Sequence, residues 1–334
     1  MADKIRTIHY GLGPIGCHIA RVAARRSQIA IVGGVDIDPA KVGHDLGMVI
    51  GLEKPLGIPV ERDLAAVLKR APADVVVHST GSFLPQVRDQ IEAIIQAGLN
   101  IVSTCEELSY PWAAHPRIAA DLDRLAKDKG VTILGTGVNP GFVMDTLALV
   151  LSGVCQDITH VRITRVVDTA QRRVQLQRKT GAGLALDDFH RRVKAGTLRH
   201  VGLPESLHMV AAGLGWKLDE VEDTIEPIVA SAPARSADIV VEPGQVAGVR
   251  QVARGLKDGR EVIALHLVMQ LGAAESYDAV DIEGTPPVHL RIAGGVHGDQ
   301  ATAAIVVNAI PRVVAADPGL LTMADLPVVA AWLG

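Results

Sequence analysis

The chain has 334 residues, 48% of them apolar, with 33 glycines, 33 basic and 37 acidic residues and a net charge of −4. That length exceeds the roughly 250–300 residues at which single cores stop growing, so two lobes are expected. The balanced charge, without a basic block, argues against nucleic acid as a partner, and no apolar run reaches the roughly 18 residues of a membrane span.

The N-terminus passes at once into an apolar strand and a glycine turn, with no signal-peptide core. Cys17, Cys105 and Cys155 are far apart and lack CxxC spacing, which argues against a disulfide framework and a zinc site. A reducing, cytoplasmic setting is the expectation.

In chain order, Ile5 to Tyr10 read as a strand, Gly11-Leu12-Gly13-Pro14-Ile15-Gly16 as a turn, and the residues after it as a helix. A second strand, Ile29 to Val35, ends at Asp36, 20 residues after Gly16. Strand, GxGxxG, helix and an acid at that distance form a dinucleotide fingerprint. Gly11 permits the turn, Gly13 lets the backbone approach the pyrophosphate, and Gly16 lets the helix pack close. The helix start, with Pro14 and Ile15, offers free N–H groups and a positive dipole end to phosphate. Asp36 would accept from the ribose hydroxyls, which favours NAD, while Lys41 lies near enough to leave NADP possible. The bland alternative is that the glycines only make a tight turn.

The alternation continues: a helix over DLAAVLKRA, a strand over ADVVVHST, a helix closed by Gly98, a strand over NIVST, a helix closed by Gly130, and a strand over VTILGTG. Short β-branched runs between helices predict a doubly wound parallel sheet, an α/β Rossmann arrangement with ligands at the carboxyl ends of the strands. Ser79, Thr80 and Gly81, the pair Glu106-Glu107, and Asn139-Pro140 all fall at such ends.

From about Met144 the pattern changes to a helix, the strand HVRITRVVD, and a long polar and helical stretch to about residue 228. Two alternating runs then flank the turn Lys257-Asp258-Gly259-Arg260, and PPVHLRIAGG follows. This predicts a second α+β lobe over 143–297 for substrate binding and dimerisation, built on a largely antiparallel open sheet. The nucleotide domain is then 1–142, completed by a tail helix in 298–334. A sheet with one open face commonly seals against a copy of itself, hence a homodimer.

The segments STCEELSYPW, GTGVNPGFVMDTL and GDQATAAIVVNAIPRV with its following PGLLT resemble 2,4-diaminopentanoate dehydrogenases and the native NAD(P)-dependent amine dehydrogenases. Their nucleotide domain is similar to that of dihydrodipicolinate reductase. The resemblance implies reversible conversion of an amine to a ketone or aldehyde plus ammonia, with a nicotinamide cofactor and a glutamate that maps to Glu106 or Glu107. A carboxylate suits that chemistry because it can take the ammonium proton, stabilise an iminium and deprotonate water. Taken alone, two acids at this place are better explained as the start of a helix, where the dipole favours them.

Other positions carry two readings each. Asn139-Pro140-Gly141 is either a turn opening the next helix or backbone beside the nicotinamide. Phe142 is pocket or core, and Trp112 is read as core. The segment Gln175 to Gly181, with Gln177 and Thr180, is either a loop over the substrate pocket or a solvated connector. Arg162, Arg165, Arg172, Arg173 and Arg178 are candidates to hold a substrate carboxylate, should there be one. Twelve histidines form no metal signature, and Cys105 has no neighbouring base to make it a nucleophile. From another class, the chain reads as a sensor that binds NAD(H) without turnover, although a sensor has no need of the paired acids.

Overall fold

The structure, a computed structural model, describes residues 4–170, 172 and 174–333. Two compact units emerge: residues 1–142 with 297–334, and residues 143–296.

The first unit begins β1 (Ile5–Tyr10), α1 (Pro14–Ala24), β2 (Ile29–Val35), α2 (Leu46–Val49), β3 (Val60–Glu61), α3 (Leu64–Leu68), β4 (Val75–His78), α4 (Leu84–Gln96), β5 (Asn100–Ser103), a 3-10 turn over Glu106–Ser109, α5 (Pro116–Lys129) and β6 (Thr132–Gly135). The second unit holds α6 (Thr146–Ser152), β7 (Asp157–Asp168), α7 (Val174–Lys179), α8 (Leu186–Lys194), α9 (Leu203–Gly213), β8 (Glu220–Val229), the short ribbon β9 (Ala234–Arg235) and β10 (Val240–Val241), β11 (Val246–Lys257), β12 (Arg260–Gln270), β13 (Tyr277–Thr285) and β14 (Val288–Ala293). The chain then returns to the first unit as α10 (Gly298–Ala315) and β15 (Gly319–Leu321).

The first sheet has seven strands in the order β15-β6-β5-β4-β1-β2-β3, every neighbour parallel. Its centre is a row of aligned residues, Ile8, Val76, Ile101 and Ile133, each without exposed surface. That row packs with Leu84 and Ile91 of α4 and Leu122 of α5, while α1 and α10 lie against each other and α10 against β5 and β6. Burial from both sides explains why these strands are short and rich in valine and isoleucine. Gly130 ends α5 at φ 69°, a left-handed cap that glycine adopts without steric cost.

The second sheet has six strands in the order β14-β13-β7-β12-β11-β8, antiparallel throughout except for the parallel pair β7 and β12. Asp258 and Gly259, at φ 52° and 69°, form the two-residue hairpin between β11 and β12, the turn whose twist suits a hairpin.

Three strands depart from the sequence expectation. Residues 220–229 belong to edge strand β8 rather than to a polar and helical stretch: charged residues alternate with Val221 and Ile225, and Pro227, which has no N–H to donate, is tolerated because β8 pairs on one side only. Strand β13 buries Val280 and Ile282 and turns Tyr277, Ala279 and Asp281 the other way. The tail adds β15, three residues that join the sheet beside β6.

Candidate functional site

At the end of β1 the three fingerprint glycines serve different needs. A Cβ on Gly11, at φ 91°, would stand 2.5 Å from the Ser79 carbonyl oxygen, and one on Gly16 would stand 1.9 Å from the Gly11 carbonyl oxygen. Both positions are closed by the fold itself. Gly13 differs: a Cβ there meets nothing within 4 Å, so the need for a bare backbone at that point is set by what approaches from outside. Gly13 is also the N-cap of α1 and supplies no side-chain cap, with Pro14 following, so the first-turn N–H groups face outward as an anion site. Ile15 is half-buried beside them.

Asp36 lies just past β2. Its Oδ2 accepts from the Leu12 N–H at 2.8 Å and from Lys41 Nζ at 3.1 Å, and its Oδ1 accepts from the Asp38 N–H at 2.9 Å. Burial pushes its pKa up, but the backbone bonds from Asp38 and Leu12 and the lysine outweigh burial and hold it below the usual carboxylate range. It is therefore an ionised acceptor with room left on Oδ1. Lys41 also reaches Asp38 at 3.4 Å, which leaves two carboxylates and one ammonium beside the expected ribose.

Beside it, the β4 loop of Ser79, Thr80 and Gly81 is anchored from below. Ser79 Oγ donates to the Gly11 carbonyl at 3.0 Å. His78 is fully buried and stands in a chain of contacts. The Cys105 N–H donates to Ser103 Oγ at 3.1 Å, and that hydroxyl lies 2.9 Å from His78 Nδ1. His78 Nε2–H then faces Gln90 Oε1 and Thr80 Oγ1, both at 2.9 Å, and Thr80 Oγ1 donates to Gln90 Oε1 at 2.6 Å. Burial keeps this imidazole neutral by lowering its pKa. His78 reads from the sequence as a strand-end residue and does end β4, whereas Gln90 and Ser103 were not singled out; the signal was a histidine and a serine at the ends of adjacent strands.

The paired acids occupy a 3-10 turn rather than an extended strand end, so strand alternation does not separate them; their contacts do. Glu107 Oε2 accepts from the Leu84 N–H at the start of α4, at 2.8 Å, and from His115 Nε2, also at 2.8 Å. Glu106 makes neither of these two contacts, and both acids are half-buried. The turn is pinned by Ser109 Oγ donating to the Glu106 carbonyl at 2.7 Å. Burial pushes the neighbouring Cys105 thiol up to about 12, and its Sγ lies 3.3 Å from the Ser82 carbonyl, so it is no nucleophile at neutral pH.

Past β6 the segment 136–142 folds back on itself. A Cβ on Gly141, at φ 124°, would stand 2.5 Å from the Gly137 nitrogen, and the Val138 N–H donates to Thr302 Oγ1 of α10 at 3.2 Å. Within this loop the Asn139 side-chain amide is buried, and neither its oxygen nor its nitrogen has a hydrogen-bond partner among the described residues; the Thr136 hydroxyl of the same loop is in the same condition. Pro140 is buried and Phe142 half-buried. Trp112 packs on the main core and against Tyr110, with ring centroids 5.2 Å apart.

In the second unit, Gln177 and Thr180 do not lie in an open loop. Residues 174–179 are helix α7, and both side chains are buried. Gln177 Nε2 donates to the Arg172 carbonyl at 2.8 Å, Gln177 Oε1 accepts from Ser236 at 2.6 Å, and Thr180 Oγ1 donates to the Gln177 carbonyl at 2.7 Å. These groups are spent on the unit's own structure. Arg165 is likewise buried, paired with Asp278 at 2.7 Å and donating to the Val296 carbonyl at 2.7 Å. Arg162 and Arg178 are exposed, and Arg173 lies outside the described residues. No group of three or more metal-ligating side chains occurs among the described residues, and no helix among them is long and apolar enough to cross a membrane.

A parallel sheet with this glycine turn after β1 and an ionised aspartate after β2 defines a Rossmann-type dinucleotide-binding unit, here joined to a mixed, mostly antiparallel lobe in the manner of two-lobed dehydrogenases. The N-terminal model of dihydrodipicolinate reductases matches residues 5–105, and the model of the 2,4-diaminopentanoate dehydrogenase C-terminal domain matches residues 142–334. The chain is 34% identical to the 2,4-diaminopentanoate dehydrogenase of Acetoanaerobium sticklandii, over 99% of this chain and 96% of that one. It is 24% identical to an amine dehydrogenase of Streptomyces virginiae over 97% and 96%. The solved amine dehydrogenase of Mycobacterium smegmatis superposes with a TM-score of 0.86 at 29% identity, covering 98% and 97%. The chain belongs to the 2,4-diaminopentanoate dehydrogenase family.

Proposed function

We propose that the protein is a nicotinamide-dependent amine dehydrogenase, which reversibly converts an amine to a ketone or aldehyde plus ammonia. The observation that carries this reading is the pair of acids after β5 in a chain of this family: Glu107 Oε2 accepts from Leu84 and His115, and Glu106 is the candidate we favour for proton transfer. When bound, the nicotinamide accepts or donates the hydride. Glu106 removes the proton from the substrate ammonium and releases it to solvent; ionised again, it offers negative charge to the iminium, takes a proton from the water that attacks it, and returns that proton to the leaving nitrogen. The outward N–H groups of α1, the bare backbone of Gly13 and Asp36 hold the pyrophosphate and ribose.

The ionised Asp36 and the nearby Asp38 favour the 2′-hydroxyl of NAD over the doubly charged 2′-phosphate of NADP, while Lys41 softens that preference. A second reading, favoured by the 34% identity to a 2,4-diaminopentanoate dehydrogenase, runs the same chemistry on a diamino acid. Homodimerisation fits the face of the second sheet opposite α6 and α9, where Arg162, Thr164, His266 and Tyr277 keep exposed surface. A cytoplasmic setting fits the three free cysteines. The direct test is NADH formation on a panel of simple amines and diamino acids: turnover of either group supports the proposal and picks between the two readings, and no NADH from any of them refutes both.

A further inference from the structure

The Asn139 amide has no role in the reading above, yet both of its polar atoms are buried without a partner. Burying an amide unpaired costs on the order of 1–3 kcal/mol, and such a cost persists where a ligand supplies the missing partners. The loop that holds it is rigid: Gly141 admits no side chain, Val138 is tied to Thr302, and the Thr136 N–H donates to the Ser103 carbonyl at 2.8 Å. Asn139 thus stands at a fixed place past the carboxyl end of β6, where ligands of parallel sheets bind.

The chemistry of the orphaned pair narrows the ligand. One donor and one acceptor side by side are complementary to another primary amide, which offers an acceptor and a donor in the same spacing. A simple ketone has only an acceptor and an ammonium only donors, so neither satisfies both atoms, and a diamino acid would meet them only with two separate groups. We infer that the Asn139 side chain pairs with the carboxamide of the nicotinamide, its nitrogen donating to the carboxamide oxygen and its oxygen accepting from the carboxamide NH2. Asn139 is then a positioning residue that selects the rotation of the carboxamide and holds the ring to one orientation. This rests on the nicotinamide reading and adds to it a residue that recognises the reactive end of the cofactor.

The experiment measures binding to the full-length protein, not turnover. NADH and reduced 3-acetylpyridine adenine dinucleotide, whose acetyl group keeps the carbonyl but lacks the NH2 donor, are titrated by fluorescence against wild type, Asn139→Ala and Asn139→Asp. Wild type should prefer NADH by roughly tenfold, the worth of one well-made hydrogen bond in a buried setting. Asn139→Ala should bind NADH about tenfold more weakly and lose the preference, whereas Asn139→Asp, which keeps an acceptor, should retain it. Without cofactor, Asn139→Ala should melt no lower than wild type, since the amide bonds to nothing in the protein. An unchanged preference in Asn139→Ala, or a lower melting point without cofactor, overturns the inference and leaves the nicotinamide reading standing. Failure of the wild type to bind NADH overturns both.

Discussion

His115 Nε2 lies 2.8 Å from Glu107 Oε2, the same carboxylate oxygen that accepts from the Leu84 N–H. One acid of an adjacent pair is thereby built into the junction of α4 and α5, and the proposed function gives proton transfer to its neighbour. Glu106→Gln should lower turnover by roughly 10²- to 10⁴-fold, the range of a general acid–base group, with NADH affinity unchanged. Glu107→Gln should keep turnover within tenfold and cost about 2 kcal/mol of stability, as expected for weakening charge-assisted hydrogen bonds. Steady-state kinetics, cofactor titration and urea unfolding of both variants check this. Equal loss of turnover in the two would contradict the assignment.

The fingerprint glycines separate folding from binding. Gly11→Ala and Gly16→Ala place a Cβ against backbone oxygens 2.5 and 1.9 Å away, so both should melt well below wild type. Gly13→Ala adds its methyl in open space at an ordinary φ of −67°, and should melt like wild type yet bind NADH at least tenfold more weakly. Thermal melts beside NADH titrations discriminate; normal NADH affinity in Gly13→Ala would mean that no pyrophosphate passes over it.

Cofactor choice should turn on the pair Asp36 and Lys41, 3.1 Å apart. Lys41→Ala removes the cation nearest a 2′-phosphate and should raise the ratio of kcat/KM for NAD over NADP. Asp36→Ser removes the main repulsion, frees Lys41, and should lower that ratio by at least tenfold. Comparable efficiency of the wild type with both cofactors would defeat the expected preference for NAD.

Buried histidines make stability sensitive to mild acid. Burial lowers the pKa of His9 to about 4 and that of His78 below its ordinary value, whereas both titrate near 6.5 when unfolded. Below pH ~6.5 the unfolded chain therefore binds more protons than the folded one, and stability falls as pH drops toward 4, by as much as about 3 kcal/mol from His9. Urea midpoints at pH 7.5, 6 and 5 should decline in that order, and His9→Gln should make the decline shallower while leaving the share of His200, whose pKa burial also lowers to about 4. A flat profile in the wild type would refute it.

The parts of the molecule that follow from local chemistry are those the chain announces. The strand, glycine turn and helix over residues 5–24 need only short-range rules, as does the stop of α5 at Gly130. Strand β8 was hidden because an edge strand exposes one side and carries many charges, so its period of two resembles a polar connector. Helix α7 was hidden because Gln177 and Thr180 are polar residues satisfied inside the second unit by Ser236 and by local carbonyls, and polarity alone reads as exposure. In the site, the place of Glu106 and Glu107 just after β5 was legible in the sequence. Their division of labour was not, because it depends on His115, eight residues further on. The orphaned amide of Asn139 is invisible in sequence for a related reason: it is defined by what fails to reach it.

The return of the chain to its first unit bears on how the protein is made. Residues 143–296 form the second unit from one continuous stretch, whereas the first unit closes only with α10, which lies against α1, and β15, which lies against β6. A polypeptide leaving the ribosome, where domains commonly fold as units in order of synthesis, can therefore complete the later unit before the earlier one. The nucleotide-binding sheet waits with an uncovered face and an unpaired edge at β6 until the last residues emerge. Nascent chains halted before residue 298 should thus expose a protease-sensitive N-terminal half beside a resistant middle.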